Sequence, residues 1–397
     1  MADRRRLVPL VLATVATQSS IVVLAPLVVE IGRDLGASVS AVGLARSVMA
    51  GTAVAVSLAI GPTIDRVGVR PLILGGAGLA MAGAGAAAAA PSLPFFYLAQ
   101  VLTGGGIACL LSAGFAGVAA YFPQSRTAWA MGYVVGAQSI AWIAGNPIIG
   151  ALAEESWRLA YAVPATLAAL ALAAGLAVPR VPPAAPDEGT RAGLGAVFRD
   201  ASARRWTFAE LVAYSAWTAE LTYAGAFYIE SYGTSEATVG VLLAAGSIVF
   251  LVASLNTERL LVRLPRRTTI AVAALLMGTM LIPVLNVTPS VGFTVGAFCV
   301  MAMFAAFRST GASALGLDQM PSRPGSMMGA RTASAQLGYM IGAALGGAVL
   351  AIADFGTLGF VLFAGMASSA LLILGVTDPA AEGPPRPREP VPEPVPD

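Results

Sequence analysis

Gly61-Pro62-Thr63-Ile64-Asp65-Arg66-Val67-Gly68-Val69-Arg70-Pro71 closes one long apolar stretch, residues 39–62, and opens another, 71–90. An acid and two Arg between stretches of that length make a tight polar turn joining two helices that cross something apolar. A bilayer core of about 30 Å takes about 20 mostly apolar residues per helix, and both flanks meet that length.

Working outward from this turn, the pattern repeats along the chain. Of 397 residues, 57% are hydrophobic and 11% charged, and mean hydropathy is +0.78, which excludes a water-soluble globule. Twelve spans are predicted: 7–29, 39–62, 71–90, 93–121, 127–153, 156–178, 207–229, 236–262, 268–286, 289–316, 326–352 and 355–377. The first is too long, and too poor in a small-residue cleavage site, for a removable signal, so it is read as span 1.

Every basic residue is Arg, and translocation disfavours Arg in short loops. With both termini cytoplasmic, the Arg residues of the N-terminal segment, the even-to-odd loops, the central linker and the tail all fall inside, and Arg259 and Arg331, near the ends of spans 8 and 11, are counted with them. Only Arg33 and Arg158 fall outside, while Arg46 and Arg308 lie within spans. Residues 1–178 and 207–377 then form two six-helix bundles. Residues 179–206, opening with a Pro-rich run, are a cytoplasmic linker with one short surface helix, and 378–397, with eight Pro in 20 residues, form a disordered tail.

The bundles are related by a repeat at an offset of 197 residues. Val42-Gly43 pairs with Val239-Gly240, Arg66 with Arg263, Arg70 with Arg267, Met131-Gly132 with Met328-Gly329, Gly145 with Gly342, and Gly150 with Gly347. A repeated six-helix unit in a membrane implies a transporter with its pathway between the halves.

Against that background, residues 61–71 resemble the GxxxDRxGR signature of the major facilitator superfamily, with a degenerate second copy at 258–267. Span 5 carries Gly132, Gly136, Gly145-Asn146-Pro147 and Gly150, with Trp157-Arg158 opening span 6, and is similar to a motif of the 12-helix drug:proton antiporter branch. Asn146 stands where Gly or Ala is usual there, and Gln100 in span 4 where an Arg is often found. The resemblance implies an all-α fold of two pseudo-symmetric six-helix bundles, alternating access and a monomeric state. It implies gating roles for Gly61, Asp65, Arg66, Arg70, Gly145, Pro147 and Gly150, and Asp65 is grouped with Glu220 as a proton-coupling carboxylate.

An ionisable side chain in mid-membrane costs about 2.5–3.5 kcal/mol on insertion scales, so each calls for a partner, a cavity or a function. Glu220 in span 7, flanked at helical spacing by Trp217, Tyr223 and Phe227, is the leading protonation site. An apolar setting favours its neutral acid and a nearby cation its carboxylate, the difference that coupling needs. Arg46 in span 2 lies at a similar depth, where it either gates with Glu220 or snorkels outward. Three roles are open to Arg308 in span 10: binding an anion, pairing with a carboxylate or snorkelling. Gln18, Gln100, Trp142, Trp217, Glu220, Tyr223, Phe304 and Arg308 form the expected substrate site. Thr14, Thr17, Tyr214, Gln138, Gln336 and Tyr339 are further polar groups on pathway helices, and Met301 and Met303 supply soft apolar surface.

With no His, two distant Cys and no phosphate-binding loop, the sequence assembles no cofactor or metal site and no enzyme centre. A net charge of +2 gives no reason for nucleic-acid binding. The expected partners are the bilayer, protons and a small organic molecule, and the Arg-only, Ala- and Gly-rich composition points to a bacterial inner membrane. Proton-coupled efflux of small amphipathic compounds is the first expectation, and uptake or exchange of an organic anion held by membrane-embedded Arg the alternative.

Overall fold

The computed structural model describes residues 2–60, 68–122, 130, 133–134, 136–178, 195–261, 265–320 and 324–378, and has no strand among them. The helices of the first half are α1 (Ala2–Val22), α2 (Leu24–Leu35), α3 (Val39–Ile60), α4 (Val69–Ala88), α5 (Leu93–Tyr121), α6 (Asn146–Glu155), α7 (Trp157–Ala160) and α8 (Ala162–Leu176). Those of the second are α9 (Ala201–Tyr232), α10 (Glu236–Leu261), α11 (Arg266–Asn286), α12 (Val291–Gln319), α13 (Pro324–Ile352) and α14 (Phe355–Leu374). Among the described residues nine helices are long and apolar enough to cross a membrane, and α1 with α2 makes a tenth, bent span. The other two expected spans lie elsewhere on that scale for plain reasons. The seventh, α9, carries Arg204, Arg205, Glu210, Glu220 and Glu230, and the fifth passes partly through undescribed residues.

Sequence details set the departures from regular helix. Pro26 has no N–H for the Val22 carbonyl and its ring crowds it, so the first span breaks at Val23 and bends by 45°. Pro147 does the same to the fifth, where Ala141–Gly145 widens into a π turn and Asn146 Nδ2 donates to the Trp142 carbonyl at 2.9 Å. The seventh span begins at Ala201, six residues before the expected 207, because the Asp200 side chain caps it by accepting from the Ala203 N–H at 2.7 Å.

Each half has its own apolar core. In the first, Leu10, Ile73, Leu110 and Val134 pack near the end of the bundle that bears the chain termini, and Leu27, Ile31, Phe96 and Trp157 near the opposite end. In the second, Trp206, Ile270 and Leu315 lie toward the terminal end, and Phe227, Met277, Phe298 and Met366 beyond them. The halves meet where small residues let backbones touch. A Cβ on Gly150 would collide with the Glu236 carbonyl, and one on Gly240 with that of Asn146, so α6 and α10 cross at reciprocal glycines. Ser47 Oγ donates to the Met340 carbonyl at 2.8 Å, joining α3 to α13, and Gly225 on α9 lies against the Ala25 carbonyl of α2.

Candidate functional site

Three helices of the second half bring charge together inside the protein. Glu210 stands nine residues into α9, Arg331 seven into α13 and Arg308 eleven from the end of α12, so at 1.5 Å per residue all lie about 10–16 Å from the terminal end. Arg308 Nη1 donates to Glu210 Oε1 at 2.5 Å, with relative exposures of 1% and 0%. Arg331 approaches the other oxygen, Nε to Oε2 at 3.8 Å, and its Nη2 donates to Ser309 Oγ at 3.2 Å. Both guanidiniums face the Tyr214 ring, at 5.5 and 5.7 Å from its centroid.

With Glu210 as the carboxylate, this cluster holds two cations for one anion. Arg308 Nε and Nη2, Arg331 Nε and Glu210 Oε2 make no hydrogen bond. Buried donors without acceptors are costly, so the arrangement is complete only with a further acceptor. Aromatic surface adjoins it: Tyr214 stacks on Trp217 at 6.4 Å and meets Tyr339 edge-on at 6.0 Å, and Trp217 leans on Phe250 at 5.2 Å. Arg331 is 27% exposed in its side chain and forms the open side of the cluster.

The sequence alone singles out Arg308 but not its partners. Arg331, counted among the cytoplasmic Arg although the expected span 326–352 contains it, sits inside α13. Glu210 falls within the expected seventh span, so near its start that it draws no notice as a membrane-embedded charge. Its spacing of four from Tyr214, on the face that also holds Trp217, is the signal that could have found it.

The first half carries the other membrane-embedded Arg. Arg46 is 2% exposed and donates from Nη2 to the Ile21 carbonyl at 2.5 Å, while Nε has no partner. It neither snorkels nor pairs with Glu220. The guanidinium uses a carbonyl next to the break between α1 and α2. Tyr161, Tyr223 and Tyr339 are the ionisable groups around it, and no carboxylate among the described residues forms an ion pair with it. Gln100, expected in the pathway, is buried beside Tyr161.

Glu220 lies elsewhere again. It is 2% exposed, its Oε2 makes no hydrogen bond, and Ala216, Ala219, Ala224 and Phe227 around it on α9 belong to the apolar core of the second half. Phe304 packs on the edge of the same core. Tyr223 is a wedge between the halves: its hydroxyl donates to the Ala343 carbonyl at 2.9 Å, and its ring fills the space a Cβ on Gly43 would need. Gln18 and Trp142 do come together. Trp142 Nε1 donates to Gln18 Oε1 at 3.1 Å, and Gln18 Nε2 to Gln138 Oε1 at 3.3 Å, linking α1 to the fifth span.

Among the expected gating residues, Gly150 and Pro147 lie at the α6–α10 crossing, whereas Gly145 is buried and a Cβ there would meet only the Ile149 side chain, at 4.0 Å. Arg70 Nη2 donates to the Leu176 carbonyl at 3.0 Å, within the first half. Gly61, Asp65 and Arg66 lie outside the described residues. At the end opposite the termini, a cleft of about 340 Å³ is lined by Glu30, Asp34, Glu154, Glu155 and Glu236 against Arg158, which pairs with Asp34 at 2.6 Å.

The family model described as Major Facilitator Superfamily matches residues 10–288 and 206–397. No curated protein matches the sequence significantly. Among solved structures, a mutant of the nucleoside transporter NupG superposes with a TM-score of 0.77 at 15% identity, covering 93% of this chain and 99% of that one. A D-xylose-proton symporter gives 0.77 at 13%, covering 95% and 99%. A bacterial homologue of the human lysosomal transporter Spinster, inward-facing and unoccupied, gives 0.69 at 14%, covering 93% of each chain. At these identities the likeness is one of fold.

Proposed function

The chain belongs to the major facilitator superfamily, and from that premise we propose that it is a secondary active transporter that carries a small organic anion by alternating access. The family consists of transporters rather than enzymes. The observation that carries the reading is the surplus of positive charge at Glu210, Arg308 and Arg331, with buried guanidinium N–H groups lacking acceptors. A carboxylate fits such a fork with two parallel hydrogen bonds, and the rings of Tyr214 and Trp217 offer a face for an apolar body.

The cleft at the opposite end, where Glu30 pairs with Arg33 and Asp34 with Arg158 beside Glu154, Glu155 and Glu236, disfavours capture of an anion from that side. We therefore read the direction as export, with the termini cytoplasmic, the cleft facing out and a bacterial inner membrane as the setting. The protein works as a monomer whose halves, 1–178 and 207–377, rock about the pathway.

The proton-coupled export of amphipathic compounds, resembling the drug:proton antiporter branch, keeps one observation in its favour. Glu220 is a sealed carboxyl with an oxygen free of hydrogen bonds, suited to exchange a proton between states.

Proteoliposomes with an imposed pH gradient separate the two readings. Wild type, Arg308→Ala and Glu220→Gln are assayed with aromatic carboxylates and with cationic amphiphiles. Carboxylate flux that Arg308→Ala abolishes is the expected result. Proton movement driven by cations alone, and lost in Glu220→Gln, would overturn it in favour of the antiporter reading.

A further inference from the structure

The group around Arg46 is unexplained by the site in the second half. Arg46, Gln100 and Tyr161 come from α3, α5 and the short turn between α7 and α8, and are exposed by 2%, 4% and 4%. Arg46 Nε has no hydrogen bond, and Gln100 Nε2 and Tyr161 Oη lie beside each other with no well-formed bond to any other group. All three can donate, and two of them cannot accept. Arg46 meets one backbone carbonyl and is surrounded by phenols, none of which is an anion at neutral pH.

A guanidinium sealed in a membrane protein beside two further donors lacks one thing, an acceptor bearing negative charge. On α13, which packs directly against α3, Tyr339 lies within electrostatic reach of both Arg46 and Arg331, so it stands between this group and the cluster in the second half. Tyr223 and Tyr339 reach Arg46 from the second half, whereas Gln100 and Tyr161 belong to the first. Separation of the halves at this level removes the two phenols and leaves the three donors on one bundle.

We propose that Arg46, Gln100 and Tyr161 form a second binding site for a small monoanion, a carboxylate or a halide, nearer the end opposite the termini than Arg308. The site goes beyond the proposed function, since it binds whether or not the Arg308 cluster does. A carboxylate on the transported molecule would use it as the next station along the pathway. A halide would use it as a resident counter-ion for Arg46. The chemistry demanded of the ligand is the same.

The test uses purified full-length protein carrying Arg308→Ala, so that the first cluster is disabled. Thermal unfolding is followed in bromide, benzoate and gluconate at constant ionic strength. A saturable rise in midpoint of several degrees is expected with bromide or benzoate, and its loss on adding Arg46→Gln. Response to bromide alone assigns a counter-ion, and competition by benzoate assigns the substrate's carboxylate. Should the Arg46→Gln protein fail to fold, Tyr161→Phe and Gln100→Leu on the same background take its place, each expected to weaken the anion at least threefold. In crystals of the wild type soaked in bromide, an anomalous peak beside Arg46 is expected. No saturable shift and no peak, or a shift that survives Arg46→Gln or both milder variants, overturns the site. Because binding is read without transport, a failed flux assay with these shifts intact would reject only the proposed function.

Discussion

Arg308 and Glu210 face each other from α12 and α9 at 2.5 Å, both sealed from solvent, and the guanidinium still keeps two nitrogen atoms without hydrogen bonds. A buried pair of this kind adds little to stability as a pair, because desolvation offsets attraction. What it does fix is position: it holds one edge of the fork in place and leaves the other free.

Breaking the pair from one side should be far worse than removing both groups. Glu210→Ala or Arg308→Ala strands a buried charge, at a cost of about 3–5 kcal/mol, whereas the double change to Leu and Met should restore most of that. Urea or thermal unfolding in detergent, arranged as a double-mutant cycle, measures the coupling. Additive single effects would mean that the two groups do not meet.

Arg331 forms the open side of the cluster, so its loss should weaken substrate more than fold. Arg331→Ala is expected to raise KM for the organic anion about 10- to 100-fold, the worth of one or two charge-assisted hydrogen bonds, with expression unchanged. Arg331→Lys should recover part of the affinity but not the two-point geometry. Initial-rate measurements in proteoliposomes decide it.

At the α6–α10 crossing there is no room for a side chain. Gly240→Val would drive a methyl into the Asn146 carbonyl and disfavour the arrangement in which this end is closed. Cysteines placed at Ala153 and Thr238 should react faster with an impermeant thiol reagent in Gly240→Val than in the parent. Equal rates would show that the crossing does not govern access.

The turn before α14 offers a simple titration. Asp354 accepts from the Thr357 N–H at 2.7 Å, which holds its carboxyl below the usual aspartate range. A folded value below the unfolded one means the cap contributes above the ordinary pKa of about 3.9 and is lost as pH falls through the folded value. Protection of the Thr357 amide, its exchange rate compared with the intrinsic rate at each pH, should therefore fall below about pH 4 in wild type, and be low and less dependent on this titration in Asp354→Ala.

The architecture is legible in the sequence because apolar length is local information. Span 4 is expected at 93–121 and α5 runs Leu93–Tyr121, since nothing beyond its own residues fixes those limits. The charged cluster is only partly legible. Arg308 is conspicuous amid apolar neighbours, but Arg331 lies close to a span limit, and a shift of a few residues decides whether such an Arg reads as loop or interior. The fate of Arg46 is closed to inspection of α3 alone, because its partner is the Ile21 carbonyl of a different helix. Side chains that bond to backbone leave no mark in the pattern of charges.

A continuous helix behaves as a lever, so tilting one end displaces the other. The bend at Val23 interrupts that lever in the first span, and α2 beyond it is seated on α9 of the other half through Ala25 and Gly225. The upper piece can thus swing with its neighbour while α1 stays bedded among Leu72, Leu110 and Val134. Leverage along the first span is lost, and what is gained is a joint at Val23 where the piece beyond it adjusts its seat as the two halves rock.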